Sequence, residues 1–230
     1  MVATSTGIKQ AVVAGDFDEQ PQFTQHVVLR DITWQTYQLL LLETGDRRAV
    51  RFCYHRGVLE IVMPLDVHEA INRLLEKIIS AITFELGLSI KSFGSTTLNR
   101  EDLLAGVEPD SCFYIQNARQ IKGRKIDLQN DPPPDLAVEV DITRSSRFRF
   151  TTYKHLGIPE TWRYTAKEGI KIYQLQNNEY IESEFSPTFP MLSGTVINQF
   201  LQKANQIDDD MDDNEIIRAV ISWLRENSTS

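Results

Sequence analysis

Apolar residues recur every three or four positions in several stretches of the chain, which is the spacing of a helix with one buried face. The clearest stretch follows Asp66 and Glu69, whose spacing is that of a capping box, and Gly87 is placed to end it. Its apolar positions are Val67, Ile71, Leu74, Leu75, Ile78 and Ile82. An earlier helix is predicted from the N-cap candidates Asp31 and Thr33 to Gly45. Further helices are predicted over residues 147–156, 193–204 and 214–226.

The remaining apolar runs are shorter and read as strands bounded by turn residues. They cover residues 49–54, 57–63, 88–93, 106–115, 136–142, 161–165, 170–175 and 179–182. His55-Arg56-Gly57 predicts a tight hairpin turn between the first two runs, and Asn177-Asn178 predicts a turn between the last two. This mixed order, with a long helix near its centre, indicates an α/β or α+β domain built on a mixed sheet.

The strand over residues 136–142 alternates between two unlike faces. Leu136, Val138, Val140 and Ile142 form one face, and Asp135, Ala137, Glu139 and Asp141 form the other. Carboxylates opposite an apolar stripe are costly to bury unless they are solvated, paired or bound to a cation. Asp110 is a further candidate, because it follows Glu108-Pro109 at the start of an apolar run.

Two or three carboxylates of this kind suit Mg²⁺ or Mn²⁺, which keep bound waters and take few protein ligands. Such an ion lowers the pKa of its water and stabilises charge on a phosphoryl group, which is the chemistry of phosphodiester hydrolysis. The candidate metal ligands are therefore Asp110, Glu139 and Asp141. The same pattern also fits acids that are exposed or salt-bridged, and Asp110 equally fits the start of a strand or a turn.

Basic residues follow the acidic strand within eleven positions: Arg144, Arg147, Arg149 and Lys154. They are placed just beyond its end, where Arg144 and Arg147 are candidates for binding phosphate. A helix face that pairs with nearby acids explains the same cluster equally well.

Composition narrows the class of protein. The net charge of −8 argues against a protein that coats nucleic acid nonspecifically, although residues 207–230 carry −5 of it and leave only −3 on the rest of the 230-residue chain. Two cysteines without CxxC spacing predict reduced thiols and a cytoplasmic setting. No apolar run approaches the roughly 18 residues of a membrane span. We expect a flexible leader at 1–25, one main domain at 26–205, and an acidic linker with a C-terminal helix at 206–230.

Common catalytic signatures are absent from the sequence: it contains no GxxxxGK loop, no GxGxxG and no GxSxG elbow. His68-Glu69 begins like the zinc-protease motif HExxH, but Asn72 stands where the second histidine would be needed. Four histidines and two cysteines in scattered positions also make a closed zinc site a poor interpretation.

Several segments taken in order resemble the bacterial Uma-two-type endonucleases of the PD-(D/E)XK superfamily. They are Gly57–Pro64, His68-Glu69, Glu108-Pro109-Asp110, Pro134–Val140 and Gly157–Tyr164, within residues 30 to 185. The resemblance implies an α/β protein with a restriction-endonuclease-like core, a central mixed β-sheet flanked by helices, and a metal site at one sheet edge. It implies a substrate of nucleic acid, DNA in preference to RNA, and a homodimer by family analogy.

The same resemblance assigns the site residues. Asp110 falls on the family's motif aspartate and Glu139 on the acid of its half-motif, with Asp141 where the superfamily's lysine would stand. The family lysine on the following helix is Arg149 in this chain, while Tyr153 keeps the tyrosine position. Lys154 is an alternative cation, but it lies about 140° around the helix from Arg149. Auxiliary candidates are Glu60, His68 and Glu69.

Three functions are consistent with these residues. The first is a Mg²⁺-dependent endonuclease in which Asp110, Glu139, Asp141, Arg149 and Lys154 are the catalytic candidates. The second is a catalytically impaired nuclease fold that acts as a regulatory or interaction module, which Arg149 favours because arginine cannot act as a base. The third is an enzyme that acts on a small phosphorylated substrate or on another substrate that is not nucleic acid.

Overall fold

The computed structural model describes residues 25–45, 50–64, 66–123, 125–141, 146–206 and 213–227. The predicted leader (apart from residue 25), Arg144 and most of the acidic linker lie outside these ranges, as does the side chain of the predicted cap Asp66. None of the helices in the described ranges is long and apolar enough to cross a membrane.

Eleven strands and five α-helices form the described part of the chain. The strands are β1 Gln25–Leu29, β2 Arg51–His55, β3 Val58–Met63, β4 Lys91–Phe93, β5 Leu98–Arg100, β6 Ala105–Val107, β7 Ser111–Tyr114, β8 Leu136–Val140, β9 Glu160–Thr165, β10 Gly169–Gln176 and β11 Glu179–Ser183. The helices are α1 Trp34–Thr44, α2 Asp66–Glu85, α3 Ser146–Leu156, α4 Gly194–Gln206 and α5 Asp213–Asn227.

The larger sheet has six strands in the order β11-β10-β9-β8-β7-β4. Only β8 and β9 pair in parallel, and α3 makes the crossover between them. Helices α2 and α4 contact this sheet through β8 and β10, α5 packs on both helices, and α3 contacts β11. This arrangement confirms the predicted α/β class with a central mixed sheet flanked by helices.

A second sheet of five antiparallel strands, in the order β1-β3-β2-β6-β5, was not indicated by the sequence. Its own core contains Trp34 and Tyr37 of α1, packed against Phe52, Tyr54 and Leu59. Helix α3 contacts β2 and β6 of this sheet and β11 of the larger one. The helix that carries Arg149 is therefore packed between elements of both sheets.

The main core confirms the predicted faces of β8. Leu136, Val138 and Val140 belong to one buried cluster with the apolar stripe of α2, whereas Ala137 belongs to a second cluster with residues of α3. Burying each large aliphatic side chain contributes about 1.5–3 kcal/mol to the free energy of folding. Because the two clusters lie on opposite faces of β8, packing stabilises the strand on both faces. Ile216 of α5 also belongs to the main cluster, so the C-terminal helix packs into the core of the domain.

The structure confirms the predicted N-cap and end of α1 and the predicted turn between β2 and β3. Thr33 caps α1 by accepting a hydrogen bond from the Thr36 N–H, and Gly45 follows at φ 66°. Arg56 and Gly57 adopt φ values of 45° and 88° in the β2–β3 hairpin, as a tight two-residue turn requires. The predicted strand 88–93 is shorter than expected, because only Lys91–Phe93 joins a ladder.

The single strand predicted over 106–115 is wrong, because it divides between the two sheets. Residues 105–107 form β6 of the smaller sheet and residues 111–114 form β7 of the larger one. The carboxylate of Glu108 accepts hydrogen bonds from the Phe52 N–H at 2.8 Å and the Thr97 hydroxyl at 2.7 Å. Pro109 cannot donate to a ladder. Asp110 therefore stands at the joint between the sheets.

Candidate active site

Asp110 and Glu139 come together across the β7–β8 ladder. Ser111 pairs with Val138, so the next position of the same antiparallel register sets Asp110 opposite Glu139. Residues directly opposite each other in such a pair project to the same face. The Asp110 Oδ2 atom also accepts a hydrogen bond of 2.8 Å from the Val140 N–H, which fixes its side chain against β8.

Glu139 is buried, with 4% of its surface exposed, and α3 supplies both of its partners. Its Oε2 atom lies 3.0 Å from Arg149 Nε, and its Oε1 atom accepts a hydrogen bond from the Tyr153 hydroxyl. Arg149 and Tyr153 are four residues apart, so they lie one above the other on one helix face. Arg149 also donates to the backbone carbonyl of Glu108, so its guanidinium joins Glu139 to the segment that carries Asp110.

The two acids have to share one buried cation. Burial raises the pKa of Glu139 well above its usual value, although Arg149 lowers it, and the neighbouring charge of Asp110 raises it further. Burial likewise raises the pKa of Asp110, opposed by Arg149 and by the Val140 N–H. When both acids are ionised, the centre carries one more negative charge than positive. An additional cation is therefore electrostatically favoured between them.

Asp141 lies at the same end of β8 and has its own counter-charge. Its Oδ2 atom accepts a hydrogen bond of 2.9 Å from Arg163 Nη2, and its N–H donates to the Tyr164 carbonyl at 2.8 Å. The charge of Asp141 also raises the pKa of Glu139, so the two are close enough to interact. Asp141 thus borders the Asp110–Glu139 pair but is neutralised by β9.

Of the auxiliary candidates, His68 borders the pair. It is buried at 4% exposure, and burial lowers its pKa while the charges of Asp110 and Asp141 oppose that shift. Glu69 forms an ion pair with Arg51 at 3.2 Å.

Glu60 lies in β3 of the smaller sheet. Its Oε1 atom is 2.8 Å from His26 Nε2, while its Oε2 atom is buried without a hydrogen-bond partner among the described residues. The charge of Glu60 contributes to the raised pKa of Arg149, so this acid also faces the guanidinium.

The predicted basic residues separate into different places. Arg149 reaches Glu139, whereas Lys154 forms an ion pair of 3.0 Å with Glu179 of β11. Arg147 is exposed in the first turn of α3. The prediction for Arg144 falls outside the described residues. The structure therefore brings Arg149, and not Lys154, to the two acids.

Two contacts of this site escaped the sequence reasoning. The Tyr153 bond to Glu139 had a visible signal in its four-residue spacing from Arg149. The ion pair between Arg163 and Asp141 had no signal in the sequence, because it depends on the parallel register of β8 and β9, which sets Arg163 beside Glu139.

The donor set fits a hard divalent cation with few protein ligands. Among the described residues, no group of three or more His, Cys, Asp or Glu side chains is arranged to hold a metal ion. Asp110 and Glu139 form a pair instead, and Mg²⁺ is commonly held by one or two carboxylates with waters completing its shell. Both oxygens of Glu139 have protein partners, so an ion would share this carboxylate with Arg149 and Tyr153.

Residues 34–202, more than half of the chain, match the family model described as "Uma2: Putative restriction endonuclease". One similar solved structure is the "Crystal structure of a putative nuclease belonging to DUF820 from Anabaena variabilis ATCC 29413", with 16% sequence identity and a TM-score of 0.49. This similarity covers 71% of the present chain and 96% of the other. No curated protein matches the chain.

Proposed function

The chain belongs to the family described as "Uma2: Putative restriction endonuclease", and we propose that it hydrolyses phosphodiester bonds of nucleic acid at the Asp110–Glu139 pair. The observation that supports this most is the register that sets the two acids side by side. Burial raises the pKa of both, and one guanidinium serves both. A buried acid and a half-buried one with too little positive charge between them are suited to a divalent cation.

In this proposal Asp110 and Glu139 hold Mg²⁺ or Mn²⁺, with Asp141 as an auxiliary ligand. A bound ion of this kind lowers the pKa of its coordinated water and stabilises charge on the phosphoryl group. The protein's own groups orient the ligands. The Val140 N–H fixes Asp110, and the Tyr153 hydroxyl fixes one oxygen of Glu139.

Arg149 acts as a fixed positive charge in this proposal. Arginine stays protonated, so it stabilises negative charge on Glu139 and on a bound phosphate but does not accept the proton of the attacking water. Its ion pair with Glu139 and its hydrogen bond to the Glu108 carbonyl hold the guanidinium in one position. Lys154 pairs with Glu179 and has no role in this proposal.

A second candidate is a catalytically impaired nuclease fold that binds nucleic acid without cleaving it. The engagement of both Glu139 oxygens by Arg149 and Tyr153 favours it, because an entering metal ion would have to compete with a buried guanidinium. This alternative predicts binding of metal or nucleic acid without turnover.

A cleavage assay separates the two candidates. Labelled single-stranded DNA, duplex DNA and RNA are incubated with the purified full chain in Mg²⁺, in Mn²⁺ and in chelator. We expect metal-dependent cleavage that Asp110→Asn and Glu139→Gln each reduce by at least about 100-fold, since losing groups that only support metal ligands already costs about 10- to 100-fold. Asp102→Asn is the matched control, because Asp102 is an exposed acid paired with Arg100.

Cleavage that persists undiminished in both Asp110→Asn and Glu139→Gln would remove these residues from the site. Metal-dependent binding of oligonucleotides with no cleavage under any condition would select the impaired alternative.

The remaining parts of the proposal are a DNA substrate in preference to RNA, a homodimer and a cytosolic setting. The two buried cysteines are not joined in a disulfide, as in most cytosolic proteins, and this supports the last part. The DNA and RNA arms of the cleavage assay test the substrate, and sedimentation of the full chain tests the dimer.

A further inference from the structure

An open pocket of about 360 Å³ lies between α3 and the strands β9 and β10. It is lined by Arg147, Phe150 and Thr151 from the helix, by Arg163 from β9 and by Tyr173 from β10. Pockets for small ligands begin at about 300 Å³, so this one has room for a ligand of modest size. We call it the arginine–aromatic pocket.

The arginine–aromatic pocket borders the proposed catalytic acids. Arg163 stands beside Glu139 in the parallel register of β8 and β9, and its guanidinium holds Asp141 at 2.9 Å. Arg147 lies about 160° around α3 from Arg149, so Arg163 and not Arg147 connects the pocket to the acids. A chain molecule bound at the acids therefore has this pocket as its next surface.

The lining combines aromatic rings with guanidinium groups. Phe150 and Tyr173 are perpendicular, with ring centroids 5.0 Å apart, and the pocket opens onto both. Arg147 is exposed, and no carboxylate of the described residues is within ion-pair distance of it. The Nε atom of Arg163 is buried and has no hydrogen-bond partner within the described ranges. Rings that stack on bases and guanidinium groups that bind phosphate are the two features of sites for single-stranded nucleic acid.

We infer that the arginine–aromatic pocket binds one unpaired nucleotide of the strand that reaches the acids, with its base against Tyr173 and its phosphate at Arg147. This inference rests on the proposed function, since it names the form of nucleic acid that the same site takes. A base within a duplex is stacked and paired, and removing it costs a few kcal/mol. The pocket therefore selects single-stranded DNA, or a duplex with an unpaired position, over a perfect duplex.

Equilibrium binding tests the pocket without turnover. Fluorescence anisotropy is measured in chelator with a labelled single strand of about 12 nucleotides, which is within the usual site sizes, and with its duplex. We expect the wild type to prefer the single strand, and Tyr173→Leu to weaken single-strand binding about fivefold or more, as loss of one stacked base does. Tyr173→Phe keeps the ring and is expected to retain most of the affinity.

Arg147 gives a second test that does not endanger the fold, because its side chain is exposed. Arg147→Ala is expected to weaken binding of the single strand and to reduce its salt dependence, while Arg147→Lys restores part of both. Arg119→Ala is the matched control. Arg119 is also an exposed arginine, but it follows the C-terminal end of β7, whereas Asp110 precedes the N-terminal end of that strand.

The inference is overturned if Tyr173→Leu, folded by circular dichroism, and Arg147→Ala both bind the single strand like the wild type. It is also overturned if a mononucleotide, at a concentration equal to that of the nucleotides in the labelled strand, displaces that strand. The pocket would then bind free nucleotides and not a nucleotide within a strand. The two proposals fail separately. Cleavage that depends on Asp110 but is indifferent to Tyr173 and Arg147 removes the pocket alone, whereas ring-dependent binding without any cleavage removes only the nuclease.

Discussion

Replacing Arg149 with methionine tests the electrostatics of the site most severely. The substitution keeps an unbranched side chain of similar length on α3 but removes the only guanidinium described as contacting Glu139. It also removes the hydrogen bond to the Glu108 carbonyl. Glu139 and Asp110 are then left as two neighbouring acids without a shared cation, in a site where burial already raises the pKa of each.

The expected loss of stability is large. Removing one partner of a buried ion pair costs about 3–5 kcal/mol, because the remaining charge stays buried and uncompensated. For a chain of 230 residues each kcal/mol shifts the Tm by about 2–4 °C, so Arg149→Met is expected to lower the Tm by about 6–20 °C. Replacing both members of the pair is far less costly, since no charge then remains buried alone.

The loss also has a definite pH dependence. Without Arg149 the pKa values of Glu139 and Asp110 in the folded state rise further above their unfolded values of about 4.3 and 3.9. Groups with raised pKa values bind more protons in the folded state, so stability falls as pH increases through the window between the unfolded and folded values. The deficit of Arg149→Met relative to the wild type is therefore smallest in acid and largest at mildly alkaline pH.

Thermal and urea unfolding, followed by circular dichroism at about pH 5 and about pH 8, measure these differences. Arg147→Met is the matched control, because it changes an exposed arginine of the same helix and is expected to stay within about 0.5 kcal/mol of the wild type. The double variant Glu139→Gln/Arg149→Met should recover at least half of the lost stability. An Arg149→Met variant that unfolds within about 1 kcal/mol of the wild type at the alkaline pH, or a double variant no more stable than the single one, would show that Arg149 does not compensate the charge of Glu139.

Three further predictions concern the wild-type site and its support. The contribution of Asp110 and Glu139 to stability falls as pH rises above about 4, because their pKa values are raised on folding; melting curves of the wild type and of Asp110→Asn/Glu139→Gln across pH measure this contribution. Mg²⁺ at 100 times its Kd adds about 2.7 kcal/mol to wild-type stability at neutral pH, which melting curves with and without Mg²⁺ measure. Tyr153→Phe removes the hydroxyl that bonds Glu139 and costs about 1.5–3 kcal/mol at neutral pH, and a cost that does not shrink in acid would contradict this assignment. Gly106→Ala places a Cβ against the Tyr37 hydroxyl and is expected to cost about 1–3 kcal/mol in urea unfolding, whereas an unchanged midpoint would show that this close approach is not required.

Features that depend on one element could be predicted from the sequence. The apolar stripe of α2 and the two faces of β8 follow from the spacing of apolar residues, since the geometry of one helix or strand alone decides which of its residues share a face. The hairpin turns at Gly57 and at Asn177 follow from residue types that favour positive φ in short hairpins. The placement of Lys154 away from Glu139 follows from the rotation of a helix, and the structure pairs it with Glu179.

Features that depend on two distant elements could not be predicted in this way. The division of residues 106–115 between two sheets is set by Glu108 accepting the Phe52 N–H, a contact between positions far apart in the chain. The smaller sheet was not predicted as a sheet because two of its five strands, β5 and β6, are only three residues long. Within the site, Asp110 and Glu139 were identified by resemblance, whereas the salt bridge between Arg163 and Asp141 requires the β8–β9 register.

Isothermal titration of the full chain with Mn²⁺, in buffers with different ionisation enthalpies, measures whether Asp110 and Glu139 hold one metal ion together. We expect one ion per chain and a release of protons on binding, because the metal lowers the raised pKa values of the carboxyl groups. We also expect both Asp110→Asn and Glu139→Gln to reduce the affinity by at least about tenfold. Equal affinity in the wild type and both variants, or binding without proton release, would contradict a metal site shared by these two acids.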